Sequence, residues 1–170
     1  MTAPSPRGQI TCTPSIDIVR ESPLWDGQPD IDSMLSRAVA EASIGVSTKD
    51  AELAIVLSDD ARIRALNRVW RGLDKPTNVL SFSDEGGGTG HGAPTLLGDI
   101  VIAYETSKRE ALAQDTPFLH YLAHLAVHGF LHLRGYDHAA EDEAEIMERL
   151  ERQILARLEI ADPYAARDAG

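Results

Sequence analysis

Cysteine is almost absent from this sequence, which has one, Cys12, in 170 residues. A single cysteine excludes a disulfide within the chain and is typical of proteins that fold in a reducing compartment. Long apolar runs are missing too, and the first residues lack the basic-then-apolar pattern of a secretory signal. We therefore expect a cytoplasmic protein with no membrane partner.

Basic residues are the minority charge, since 16 lysines and arginines against 27 acidic residues give a net charge of −11. This balance argues against nucleic-acid binding by the surface as a whole. Positive charge is nevertheless concentrated between residues 62 and 75. Arg64, Arg68 and Arg71 follow helical spacing there and share one face. That face is either simply solvated or a local binding surface for phosphate.

The length of the chain allows one domain with a proper core. We predict a flexible N-terminal tail over residues 1–14 and a single domain over residues 15–164. Residues 165–170 are predicted to form a C-terminal tail. A glycine-rich segment at 84–95 has no apolar periodicity and is expected to be a flexible loop.

Short apolar runs and alternating patterns predict four strands. They lie at residues 16–20, 53–57, 78–82 and 97–103. Helical periodicity is found between and after these strands. The expected fold class is α+β: a single domain with a small mixed four-stranded sheet packed with helices.

Two of the predicted helices are amphipathic. In the helix that carries the arginines, Ile63, Leu66 and Trp70 form the apolar face. The last helix covers about residues 139–158, with acidic residues from Glu141 to Glu151 on its outer face. Its predicted buried positions recur at steps of four: Ile146, Leu150, Ile154 and Leu158.

Three histidines within residues 128–138 carry the clearest chemical signal. His128 and His132 are four residues apart, so both side chains lie on one face of a helix. Gly135 can adopt a positive φ angle and turn the chain back, bringing His138 to the same point. Three neutral nitrogens with a fourth position open are the ligand set of a catalytic zinc site. We predict one zinc ion per chain, bound by His128, His132 and His138 on this histidine helix.

Two further histidines extend the same stripe backwards, at His120 and His124. Each step of four residues turns about 40° around the helix axis, so all four histidines cannot share one metal. We expect His120 and His124 to be packing groups or partners of the ligands. His91, in the glycine-rich loop, is expected to be solvated.

A zinc site of this kind favours hydrolysis, and three uses are open. In metalloproteases a glutamate follows the first helix histidine as general base, but Gly129 stands at that position here. A phosphodiester fits better, because a metal and an arginine such as Arg71 can stabilise the charged transition state together. The third use is a structural zinc site, which usually has four protein ligands.

The segment HGFLHLRGYDH at 128–138 resembles the signature of the YbeY endoribonucleases, also called rRNA maturation factors. Further segments are similar to other parts of that family. They are LNRVWR at 66–71, DKPTNVLSF at 74–82, GDIVI at 98–102 and DPY at 162–164. The resemblance covers about residues 50–164.

The resemblance implies a metal-dependent endoribonuclease, specific for single strands, that acts in rRNA processing. Its expected roles are maturation of the 3′ end of 16S rRNA and ribosome quality control, with the ribosome or ribosomal proteins as partners. It also implies that His128, His132 and His138 bind zinc and that Arg71 contributes to catalysis or to RNA contact. We predict Arg71 and His128 as the catalytic residues.

Two alternatives stay open at this point. One is a ribosome assembly factor with a structural zinc site that docks through its acidic helical surface. The other is a metalloprotease-like hydrolase, which Gly129 disfavours.

Overall fold

The structure of the protein is a computed structural model that describes residues 13–46, 48, 50–84 and 95–169. Its strands are β1 (Ser15–Arg20), β2 (Ala51–Ser58), β3 (Val79–Ser83) and β4 (Thr95–Ala103). Its first three helices are α1 (Ile31–Ala42), α2 (Asp60–Arg71) and α3 (Tyr104–Ala113). The others are α4 (Phe118–Leu133), α5 (Glu141–Arg157) and α6 (Ala165–Asp168). Residues 1–12 of the tail predicted over 1–14 and the part of the glycine-rich loop with His91 lie outside the described residues.

The four strands form one mixed sheet in the order β1-β2-β4-β3. Strands β1, β2 and β4 are parallel, and β3 pairs with β4 in the antiparallel direction. Parallel neighbours need long crossover connections, which α1 and α2 provide here. The prediction of a single α+β domain with a small mixed four-stranded sheet is confirmed.

The two faces of the sheet are covered unequally. Alternate residues of a strand point to opposite faces, and Ile55 and Ile100 belong to the main core, which includes buried residues of α1, α4 and α5. Val101 and Leu80 point the other way, into a smaller cluster with Ile63 of α2. Helix α2 therefore covers the second face over a limited area.

Helix α4 packs closely on the sheet at Gly129. A Cβ atom at this position would lie 2.8 Å from Cγ2 of Ile100, which is fully buried. The Ser81 hydroxyl of β3 also donates to the carbonyl oxygen of Gly129, at 3.4 Å. A glycine therefore allows α4 to approach β4, and this position has no room for a protease glutamate.

Two side chains of α5 differ in burial from the prediction. Ile146, predicted to be buried, is 42% exposed, and Met147 takes its place in the core. Glu151, placed on the acidic outer face by the sequence, is fully buried instead. The buried stripe follows positions 147, 151, 154 and 155, which is offset by about one residue from the prediction in the first half of the helix. The predicted burial of Ile154 and Leu158 is confirmed, and Leu150 is partly buried against the core.

The C-terminal residues continue the fold beyond residue 164. Residues 165–168, which the sequence analysis placed in a tail, form α6. Arg167 of this helix donates to Glu148 of α5 at 3.0 Å. Over the part of the chain that the structure describes, no helix has the length and apolar character needed to cross a bilayer.

The variant Gly129→Val is expected to lower the free energy of unfolding by about 2 kcal/mol, because the added side chain overlaps Ile100 in a filled part of the core. The measurement is urea denaturation followed by circular dichroism. Ala65→Val, at an exposed position of α2, is the matched control and should cost less than about 1 kcal/mol. Equal losses for the two variants would contradict the close contact.

Candidate metal centre

His128 and His132 lie one turn apart on α4, on a face that borders a solvent-accessible cavity. Their Nε2 atoms are 3.1 Å apart, and both side chains are half-buried. The other faces of α4 are occupied by the core, so this stripe is where the helix can present polar groups. The structure therefore places these two imidazoles side by side, as the spacing predicted.

His138 reaches the same point from the turn that follows α4. Gly135 has a φ angle of 93°, and the amide of Tyr136 donates to the carbonyl of Leu131, which ends the helix and reverses the chain. The Asp137 carboxylate accepts from the backbone amide of His138 at 2.7 Å. One ring nitrogen from each of His128, His132 and His138 then lies within 4.8 Å of the others. This cluster could hold a metal ion.

The donor set suits a borderline metal such as zinc. Neutral imidazole nitrogens are ligands that zinc prefers, and three of them leave a fourth tetrahedral position open. Burial lowers the pKa of His132, and the neighbouring His128 and His138 lower it further. The negative charge of Asp137 raises this pKa but does not outweigh them. His132 therefore favours the neutral form, whose lone pair a metal needs.

The His128 ring is oriented by a buried carboxylate, which was not predicted from the sequence. Glu151 of α5 lies behind the cluster, and its Oε1 is 2.5 Å from Nδ1 of His128. The Nδ1–H group donates to the carboxylate, so Nε2 faces the cavity as a ligand atom. A carboxylate that fixes the ring and tautomer of a ligating histidine is common at metal sites.

Glu151 is also bonded to two other side chains. His124 lies 3.4 Å from its Oε2, and the Tyr164 hydroxyl donates to the same oxygen. Burial raises the pKa of Glu151, but hydrogen bonds from His124 and His128 outweigh it and hold the pKa at about 2. The carboxylate is therefore ionised at neutral pH, with a partner on each oxygen.

The outer histidines behave differently from each other. His124 is a partner of the buried carboxylate and not part of the three-histidine cluster, in agreement with the sequence. His120 is half-buried and lines a second cavity together with Tyr121 and His124. Neither belongs to the metal cluster found among the described residues.

Arg71 lines the same cavity as the three histidines. It is the last residue of α2, which ends at Gly72 with a φ angle of 71°. The buried amide of Asn67 donates to the carbonyl of Lys75 at 2.8 Å and holds the following loop against the helix. The cavity has a volume of about 550 Å³ and is lined by Arg71, the three histidines and the polar side chains of β3.

The arginines of α2 are not equivalent. Arg64 makes two hydrogen bonds to the Asp74 carboxylate, at 3.0 and 3.1 Å. Arg62 lies 3.9 Å from Glu21. No ion pair involves Arg68 or Arg71 within the described ranges. The positive charge that faces the histidine cavity is therefore that of Arg71.

Glu151 could have been found from sequence spacing, whereas Tyr164 could not. Glu151 stands four residues after Met147 and four before Leu155, both buried, so it falls within the apolar stripe of α5. An acidic residue inside such a stripe indicates a buried partner. Tyr164 belongs to the DPY segment, whose role had no local signal, since its partner is 13 residues away.

Comparisons with known proteins identify the family of the chain. The family model described as "Endoribonuclease YbeY" matches residues 26–159. A protein from Rhodopseudomonas palustris strain BisA53 with that name is 52% identical over 159 residues, covering 91% of this chain and 92% of its own length. One from Bradyrhizobium diazoefficiens, also so named, is 54% identical over 159 residues, covering 91% and 87%.

A solved structure shows the same fold. The solution structure of a Thermotoga maritima protein superposes with a TM-score of 0.53 at 22% identity, covering 85% of this chain and 91% of that one. The family, however, is shown by the match over residues 26–159 and by the identity of the two relatives. The chain belongs to the YbeY family of endoribonucleases.

Proposed function

We propose that this protein is a zinc-dependent endoribonuclease, specific for single-stranded RNA, that processes rRNA in the cytoplasm. Maturation of the 3′ end of 16S rRNA and ribosome quality control are its proposed roles. The observation that carries the proposal is the convergence of three imidazoles on a cavity that Arg71 also lines. Membership of the endoribonuclease family supplies the class of substrate.

The chemistry of the cavity supports cleavage of a phosphodiester. When bound by His128, His132 and His138, a zinc ion supplies a Lewis acid and lowers the pKa of water to about 7. Arg71 has two or more N–H groups to offer the phosphoryl oxygens, on which negative charge increases in the transition state. Water and the RNA 2′-hydroxyl are the two candidate nucleophiles for attack on phosphorus.

Each residue around the cluster has a separate task in this proposal. Glu151 holds the His128 ring through Nδ1, so that the ring does not rotate when substrate binds. Asp137 fixes the backbone at His138. Arg71 binds and neutralises the phosphate. His128 is at once a ligand and the histidine connected to the buried hydrogen-bond network.

The ribosome or a ribosomal protein is the proposed partner. The first turn of α5 carries Glu141, Asp142 and Glu143, all exposed. Ribosomal proteins that bind rRNA are basic, and complementary charge steers such partners together. This acidic turn is the proposed contact for them.

The two alternative functions have less support. A structural zinc site is usually closed by four protein ligands, whereas the three histidines here border an open cavity. A protease of the HExxH type needs a glutamate at position 129, and the contact of Gly129 with Ile100 leaves no space for one.

His132→Ala is expected to reduce bound zinc from one ion per chain to almost none, because two histidines do not retain the ion during purification. Zinc is measured by mass spectrometry of the purified proteins. His120→Ala, on the same helix but outside the cluster, is the control and should keep its zinc. Undiminished zinc in His132→Ala would remove this residue from the site.

Arg71→Ala should lower kcat/KM for single-stranded RNA by about a hundredfold or more, since a charged donor to the transition state is lost. The side chain is exposed, so the fold and the zinc content should be unchanged. Arg64→Ala is the matched control, because the Arg64 guanidinium is bound to Asp74. Unchanged cleavage by Arg71→Ala would mean that its charge is only solvated.

A further inference from the structure

The chain has two tryptophans with opposite environments. Trp25 is fully buried in the main core, whereas Trp70, next to Arg71 on α2, is 68% exposed. The sequence pattern had placed Trp70 on the apolar face of α2, together with the buried Ile63. A large exposed aromatic ring beside the histidine cavity indicates a contact surface, because burial of such a ring on binding is strongly favourable.

A second aromatic ring lies against Trp70. The ring of Phe82, on β3, has its centroid 5.8 Å from that of Trp70, with the planes tilted by 60°. Both rings line a cavity of about 670 Å³ between α2 and the sheet, whose floor includes Val56 and Val101. We call this cavity the aromatic groove. It exists because α2 covers only part of the second face of the sheet.

The aromatic groove meets the histidine cavity at β3. This strand is at the edge of the sheet, and its side chains alternate between the two faces. Phe82 and Leu80 point towards α2, while Ser81 donates to Gly129 on the other side. Arg71 lines both cavities. A chain that passes over the edge of β3 would therefore contact the two cavities in succession, with Arg71 between them.

The charged side chains are unevenly distributed along the aromatic groove. Arg71 lies at the end shared with the histidine cavity, and Arg68 is exposed on the same helix. Glu21, Asp99 and Arg62 line other parts of the groove, and the Arg62 guanidinium lies 3.9 Å from the Glu21 carboxylate. Because Glu21 offsets the charge of Arg62, a phosphate is attracted mainly to the Arg71 end, while the apolar walls remain available to an uncharged planar group.

We propose that the aromatic groove is a nucleobase subsite. One base of single-stranded RNA, next to the cleaved phosphodiester, stacks on Trp70 and Phe82 while its phosphate lies at Arg71. The inference rests on the proposed function. Stacking on aromatic side chains accepts any base, because every base has a π face. A base held in a duplex cannot enter the groove, so this subsite selects single strands.

The first test compares steady-state cleavage of a short single-stranded oligoribonucleotide. Trp70→Ala should raise KM about tenfold with kcat nearly unchanged, since stacking on one base contributes on this scale. Trp70→Phe should recover most of the loss because it keeps an aromatic face. Val69→Ala is the matched control: Val69 is 71% exposed on the same helix and does not line either cavity.

The second test removes the RNA base that would stack on Trp70 and leaves the Trp70 ring in place. Abasic nucleotides are placed one at a time along the same oligoribonucleotide. At one position next to the cut, the abasic substrate should raise KM for the wild-type protein and have almost no effect on Trp70→Ala. This double-mutant cycle isolates the contact between the ring and the base. On rapid mixing, the intact RNA should also quench the fluorescence of Trp70 but not of the buried Trp25.

Three results would overturn the inference. One is an unchanged KM for Trp70→Ala. Another is a rise in KM that abasic nucleotides cause in Trp70→Ala as strongly as in the wild-type protein, whichever position is abasic. The third is normal cleavage of naked RNA combined with weaker binding to ribosomal subunits, which would assign Trp70 to a protein contact. In all three the wild-type protein still cleaves RNA. A wild-type protein that does not cleave RNA would instead contradict the proposed function, and the subsite with it.

Discussion

The contact between Gly129 and Ile100 determines where the rest of the site can be. Because no side chain separates them, α4 lies directly on β4 and is surrounded by core on most of its circumference. The remaining stripe of the helix, with His128 and His132, is thereby placed beside the edge strand β3. The C-terminal end of α2 reaches the same edge, so that Arg71 lines the cavity together with the histidines. A wider spacing between helix and sheet would separate the two sides of the cavity.

A buried carboxylate then makes this arrangement specific. An ionised group in the core is costly unless each of its oxygens has a partner. Glu151 has His128 on one oxygen and His124 with Tyr164 on the other, so α4, α5 and the C-terminal turn are connected through one group. Burial and the charge of Glu151 raise the pKa of the Tyr164 hydroxyl, which therefore remains a donor. The orientation of the His128 ring consequently depends on residues far from it in the chain.

The sequence predicted those parts of the site that are local. The histidines lie within eleven residues, helical spacing places His128 and His132 together, and Gly135 encodes the turn that returns His138. The strands were found because each is a short apolar run. The partners of Glu151 and the exposure of Trp70 were not predicted, because each depends on packing between distant elements. The apolar stripe of α5 indicates that Glu151 is buried but not which side chains of α4 it meets, and the apolar face of α2 extends past the area that the sheet covers.

We propose that the three histidines hold a zinc ion and that RNA cleavage requires this ion. The most direct measurement follows cleavage of a single-stranded RNA fragment from the 3′ end of 16S rRNA by the purified protein. The protein is assayed as isolated, after removal of zinc with a chelator, and after zinc is added back. We predict that cleavage is lost with the metal and returns with it. Cleavage that persists in protein shown to be free of metal would contradict the account.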